Sequence, residues 1–158
     1  MAKILVLYYS RSGNTRKMAE AVAEGAKETG ADVTLSDIKE FEPRQLLKYD
    51  GIVAGSPTYY GILAGPVKDF FDRSVKIHGK LEGKVGGAFA SAMALGGGTE
   101  TTVMSILQIM LVHGMIVQGK TKKTHFGAVS VNAPDQESRE ECRQLGAKVA
   151  ALAAKLFG

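Results

Sequence analysis

The stretch YYSRSGNTRKMAEAVAEGA, Tyr8 to Ala26, decides how this chain folds. It joins an unbroken apolar run, Ile4 to Tyr8, to a helical pattern through Ser10-Arg11-Ser12-Gly13-Asn14-Thr15. An apolar run without polar alternation reads as a strand buried on both faces, as in a parallel sheet. Met18, Val22 and Ala26, with Ala19 and Ala23 beside them, recur at spacings of three and four, while Glu20, Glu24, Lys27 and Glu28 lie off the stripe. That pattern is an amphipathic helix, and Gly30 ends it. A buried strand that runs through a short polar loop into a helix is the opening unit of an α/β sheet.

The same alternation continues outward. ADVTLSDI predicts a second strand, and Gly51 to Gly55 a third, stopped by Ser56 and Pro57. Pro66 suits the first turn of a helix carrying Val67, Phe70, Phe71 and Val75. KVGGAFASAMALGGG is a glycine-softened fourth strand leading into a loop. Thr99 to His113 forms a helix with Val103, Ile106, Leu107, Met110 and Leu111 inward, and MIVQG is the fifth strand. Residues 118–134 read as an irregular connection, long enough to suggest a functional loop. The last helix starts near Asp135, has Ser138 and Glu141 at capping-box spacing, and buries Leu145, Val149, Leu152 and Leu156. Five strands alternating with helices predict a three-layer α/β sandwich around a parallel sheet, one domain over residues 1–158.

Composition agrees with one domain: 158 residues, 45% of them hydrophobic, suffice for a full core. No apolar run approaches the roughly 20 residues of a membrane span, and MAKILVLYYS reads as a buried strand and not a secretory signal. Cys142 is the sole cysteine, which excludes an internal disulfide framework and a cysteine zinc site; a packed, inert thiol in a reducing cytoplasm is expected. The formal charge of +4 favours anionic ligands. Lys120, Lys122 and Lys123 form a small basic cluster, read as a solvated loop. Nucleic-acid binding would need a basic stripe interleaved with stacking aromatics, and none occurs.

Ligands of parallel sheets sit beyond the carboxyl ends of the strands, where strand order reverses. The loops Ser10 to Thr15, Pro57 to Gly61 and Ser91 to Gly98 should therefore converge. The first has hydroxyls around Gly13 and leads into a helix N-terminus, whose unpaired amides and dipole attract phosphate. It is no P-loop, because no lysine follows Gly13 in the required position. It is no dinucleotide loop either, because Gly13 is its only glycine. A terminal phosphate monoester fits; the alternative is a plain helix cap from Ser12 or Asn14. Tyr59 and Tyr60 offer aromatic faces to a flat heterocycle, or else simply pack. Gly96 to Gly98 bring bare backbone to a ligand, or mark a flexible turn. His113 ends a helix, where it is either structural or a hydrogen-bonding partner of the reaction. His78 and His125 read as surface residues, and the histidines have no metal-ligand spacing. No nucleophile–base–acid triad or hydrolytic carboxylate pair is evident.

Ser10-x-Ser12-Gly13-Asn14-Thr15 resembles the flavodoxin phosphate fingerprint, Thr/Ser-x-Thr-Gly-x-Thr. AKILVLYYS, AEAVAEGA, GSPTYYG, ALGGGTETT, VHGM and HFGAVSV, in that order along nearly the whole chain, resemble the WrbA-type NAD(P)H:quinone oxidoreductases within that superfamily. The resemblance implies a flavodoxin-like sheet of order 2-1-3-4-5 and non-covalent FMN. Ser10, Arg11, Ser12, Gly13, Asn14 and Thr15 would then hold the phosphate. Pro57, Thr58, Tyr59, Tyr60 and Gly61 would border the ring and ribityl chain. Ser91, Ala92, Met93, Ala94, Leu95, Gly96 and Gly97 would line the pyrimidine edge, with His113 as the catalytic residue near flavin and substrate. It further implies NADH or NADPH as co-substrate and a quinone as acceptor, with two electrons passed in a ping-pong cycle. A homo-oligomer, dimer or tetramer, would wall the flavin, with the 118–134 loop and Phe126 as the contact. The chain departs from the family in a short segment between the second and third strands, in having no tryptophan, and in Ala92 to Leu95 where Ser, Thr and Gly are usual. An electron-carrier flavodoxin serving protein partners is the alternative; such carriers tend to be acidic, and this chain is basic.

Overall fold

The computed structural model describes all 158 residues. Strand β1 (Lys3–Tyr8) leads through the polar loop into α1 (Asn14–Glu28) and then β2 (Asp32–Asp37). Two 3-10 turns cross to β3 (Gly51–Tyr59), which folds back through the short β4 (Ile62–Leu63) into α2 (Gly65–Arg73). β5 (Val85–Ala92), α3 (Thr99–Val112), β6 (Ile116–Val117), β7 (Ala128–Val131) and α4 (Gln136–Phe157) complete the chain. The main sheet runs β2-β1-β3-β5-β6 with every pair on that path parallel, while β4 pairs antiparallel with β3.

These five positions reproduce the expected order 2-1-3-4-5, with the fifth place shared. β6 pairs with Val85 and Gly86, β7 with the stretch from Phe89 to Ala92, and residues 118–127 loop out between them. The expected irregular segment 118–134 thus contains a strand. Its loop is also not freely solvated. Lys120 pairs with Glu141 and, at 2.8 Å, Gln144; Lys123 pairs with Glu137; Thr124 donates to Glu141. Glu141, 8% exposed, is the post to which the loop is tied.

The β1 side chains alternate between two cores. Leu5 and Leu7 join α2 and α3 residues such as Phe70, Ile106 and Met110 on one face. Ile4, Val6 and Tyr8 join Met18, Val22, Cys142 and Val149 of α1 and α4 on the other. Burial on both faces explains the unbroken apolar run. α1 and α4 touch at glycines: a Cβ on Gly25 would lie 1.9 Å from the Arg143 carbonyl oxygen, and one on Gly146 1.9 Å from that of Val22.

Other expectations are corrected by local geometry. β3 runs past Ser56 and Pro57 to Tyr59. Pairing with β1 ends at Gly55, so Pro57 occupies an edge position where a missing N–H is tolerated. α4 is capped by Asp135, whose Oδ1 accepts the Ser138 N–H at 2.8 Å, not by a Ser138–Glu141 box. Leu111 and Leu156 are exposed, as is Val75, which falls in a 3-10 turn after α2 has ended. Cys142 is fully buried, and burial pushes its thiol up to about 12. No helix is long and apolar enough to cross a membrane.

Candidate cofactor site

The carboxyl ends of β1, β3 and β5 deliver the three loops to one place, and a set of short polar contacts holds them there. Thr15 Oγ1 lies 2.9 Å from Ser91 Oγ, joining the first turn of α1 to the end of β5. Thr102 Oγ1 donates to Thr58 Oγ1 at 2.9 Å, and Thr101 Oγ1 donates to the carbonyl of Gly61. Gly98, at φ +109°, lies so near that a Cβ would be 2.8 Å from the Gly61 Cα. Ser56 Oγ accepts the Ala64 N–H at 2.9 Å and donates to the Pro57 carbonyl at 2.7 Å, fixing the exit of β3. Thr101, Thr102 and Ser56 carry no site role in the sequence reading. Their one visible sign is the pair of threonines just after the triple glycine.

The first loop is a nest of unspent donors. Gly13 is the N-cap of α1 at φ +97° and has no side-chain cap. The Gly13 N–H goes to Ser10 Oγ at 3.0 Å, while the first helix bond runs from Lys17 N–H to the Gly13 carbonyl. The amides of Asn14, Thr15 and Arg16 have no partner within the chain, and neither Ser12 nor Asn14 makes a side-chain hydrogen bond. The plain-cap alternative is therefore not realised. Three free amides at the positive end of a helix with no acidic residue in its first turn form a site for a multiply charged anion.

The rim is apolar. Tyr60 and Gly61 both adopt positive φ, 50° and 83°, and make the two-residue turn between β3 and β4. Tyr60 stands fully in solvent at its tip, whereas Tyr59 packs against the core. From the β5 loop, Met93 and Leu95 are 89% and 93% exposed. The amides of Met93, Ala94, Leu95 and Gly96 have no partner within the chain, and Gly97 N–H closes a turn onto the Ala94 carbonyl at 3.0 Å. An anion nest, an exposed aromatic, exposed aliphatics and a run of free amides match a molecule with a phosphate tail, a flat apolar ring and a hydrogen-bonding edge. FMN has those parts, and the residues present fit it. Among the expected residues Arg11 and Ser12 are exposed and carry no contact that fixes them. No group of three or more His, Cys, Asp and Glu side chains is placed to hold a metal ion.

His113 is not brought to these loops. It is the C-cap of α3, and the 14 residues of that helix separate it from Thr99 by about 21 Å at 1.5 Å per residue. It is 6% exposed, with Nε2 2.7 Å from Ser74 Oγ. Burial, and then the neighbouring His78, hold its imidazole below the ordinary histidine range.

Comparison with known proteins gives this geometry a context. A family model described as flavodoxin matches residues 6–102. A protein named flavodoxin from Aquifex aeolicus is 42% identical over 159 positions, covering 95% of this chain and 86% of its own length. A protein named NAD(P)H dehydrogenase (quinone) from Archaeoglobus fulgidus is 34% identical over 190 positions, covering 99% of this chain and all of its own. Among solved structures, the WrbA-like flavodoxin of Agrobacterium tumefaciens superposes with a TM-score of 0.84 at 29% identity, covering 98% of this chain and 99% of that one. Matched through its first strand, its phosphate loop and the start of α3, and by relatives along nearly its whole length, this chain belongs to the flavodoxin family, whose cofactor is FMN.

Proposed function

We propose that the protein is an FMN-dependent oxidoreductase that passes two electrons from NADH or NADPH to a quinone in a ping-pong order. The observation that carries this reading is the pairing of an uncapped amide nest with an open apolar rim, Tyr60, Met93 and Leu95, at the end of a parallel sheet. Relatives named NAD(P)H dehydrogenase (quinone) at 34% to 36% identity over essentially the whole chain support the enzyme class. FMN bound there supplies the hydride-accepting and hydride-returning chemistry. The chain's own part is positional. The amides of Asn14, Thr15 and Arg16 and the hydroxyls of Ser10 and Ser12 hold the phosphate. Thr58 and Tyr59 border the ribityl chain, and Tyr60 the ring. The free amides of the 93–96 turn donate to the ring's oxygen-bearing edge and favour negative charge there. His113, buried at the other end of α3, is not among the residues that would hold FMN in its own chain.

One exposed face serves both substrates in turn, so no second substrate pocket is needed. The exposed rim and Phe126, 52% exposed, are the surfaces that a second copy would cover in a homo-oligomer. The buried, unreactive Cys142 suits a reducing cytoplasm.

A carrier role is the second reading. It is favoured by the 42% identical relative named flavodoxin, which aligns over 159 positions, about this chain's own length, where the quinone-reductase relative needs 190. Anaerobic addition of NADH or NADPH to the purified yellow protein separates the two. The enzyme reading predicts bleaching by the nucleotide alone and recovery of colour on adding benzoquinone. A flavin inert to both nucleotides, and reduced only through a reductase protein, would establish the carrier.

A further inference from the structure

A cleft of 410 Å³ opens between two 3-10 segments, Pro43–Lys48 and Ser74–Ile77, within the range of about 300–1,000 Å³ typical of small-molecule sites. It lies at the opposite end of the sheet from the cofactor loops. Lys84, the residue before β5, reaches across to donate to the carbonyls of Leu47, at 3.4 Å, and Tyr49. The 91–98 loop leaves the other end of β5, whose eight residues span about 26 Å at roughly 3.3 Å each.

In a 3-10 turn, side chains three apart share one row. Arg44 therefore stands with Leu47 on one wall, and Lys76 with Arg73 on the other. Lys80 follows in the turn that its own N–H closes onto the Ile77 carbonyl at 3.0 Å. Four of the eight lining residues are cations, against one carboxylate, Glu42. That acid is already engaged, because Arg73 binds Glu42 at 3.3 Å and Asp69 at 3.2 Å. Arg44, Lys76 and Lys80 have no ion pair and no side-chain hydrogen bond within the chain. Clustered cations elsewhere bring their own acids: Lys120 and Lys123 pair with Glu141 and Glu137, and Arg143 with Glu24 and Glu28. The formal excess of the whole chain is +4, so three unpaired cations in one cleft hold a large part of it, and an anion there relieves their mutual repulsion.

We infer that this cleft is a second binding site, for a small molecule bearing a diphosphate group. The free cations stand on both walls, Arg44 on one and Lys76 and Lys80 on the other. Two linked phosphoryl groups answer both walls, where a single small anion answers one. Long flexible stems let the guanidinium and ammonium groups close on such a ligand, and Leu47 and Ile77 give it an apolar floor. The site is independent of the redox reading and of the crest loops.

The FMN-loaded protein, ¹⁵N-labelled, is titrated with inorganic pyrophosphate, with ADP and with sulfate at one ionic strength. Pyrophosphate is expected to shift the amides of Arg44, Leu47, Lys76 and Lys80, and to bind at least ~10-fold more tightly than sulfate. The double variant Arg44→Gln/Lys80→Gln removes one cation from each wall and should weaken pyrophosphate at least ~10-fold. Lys27→Gln/Lys155→Gln removes the same charge from exposed positions of α1 and α4, on the other face of the sheet, and should leave affinity within about twofold. ADP bound more tightly than pyrophosphate would support a nucleotide as the occupant; ADP bound no more tightly would support recognition of the diphosphate group alone. Equal binding of pyrophosphate and sulfate would overturn the proposal. So would equal losses in the two double variants, shifts confined to residues 10–16, or no shift at all.

Discussion

Ser12 and Gly13 show how the anion loop can be probed one residue at a time. Ser12 is exposed and unpartnered, so a new side chain there meets no core. Ser12→Glu places a carboxylate beside the phosphate position, and like charges about 4 Å apart repel by about 1–4 kcal/mol in a partly solvated site. FMN affinity should fall at least ~100-fold with the far-ultraviolet circular dichroism unchanged; retained yellow colour and affinity would remove this loop from phosphate binding. Gly13→Ala is a test of conformation alone, because a Cβ would meet nothing within 4 Å yet φ is +97°. The cost should be about 1–2 kcal/mol of stability from the left-handed backbone, read in urea unfolding.

His113 carries the pH dependence at this scale. Its folded-state pKa is lowered by burial first and then by His78. The unfolded chain therefore binds the proton more readily than the folded one. Stability is full above the ordinary histidine value of about 6.5 and is lost as pH falls towards the depressed folded value. Urea midpoints should drop from about pH 7.5 to about pH 5.5 across that value, and His113→Phe should flatten that fall. An identical slope in the variant would place the titrating group elsewhere.

At the scale of elements, the contact of α1 with α4 is the tightest in the fold. Gly146→Ala would set a methyl 1.9 Å from the Val22 carbonyl, a backbone atom that cannot swing aside. The helices must separate, and unfolding free energy should drop by about 3 kcal/mol, the upper part of the usual overpacking range. Little change would mean that α4 slides without cost. The elements themselves were unequally legible. β1 and α1 were plain because burial on both faces leaves an unbroken apolar run and a one-sided helix leaves a stripe. β7 was hidden, since AVSV is only four residues long and follows a Lys-, Thr- and Gly-rich loop. The cap of α4 was misread because Ser138 and Glu141 have capping-box spacing, whereas Asp135, three residues earlier, takes the Ser138 amide.

For the whole molecule, the parallel-sheet rule places three loops at one crest, and their convergence is legible in the sequence. The stitches that hold them were not. Thr15 meets Ser91 and Thr58 meets Thr102 across 76 and 44 residues of chain, and no local pattern signals such pairs. The position of His113 was hidden for a related reason: sequence places it at a helix end but does not say which end of the sheet that helix end reaches.

The central claim is that the free amides at the start of α1 grip a phosphate and so hold the flavin at the crest of the sheet. Titrating the flavin-free protein with FMN and with riboflavin, followed by quenching of flavin fluorescence, tests it most directly. FMN should bind at least ~100-fold more tightly, a difference of about 2.7 kcal/mol. Equal affinity for the two flavins would contradict it.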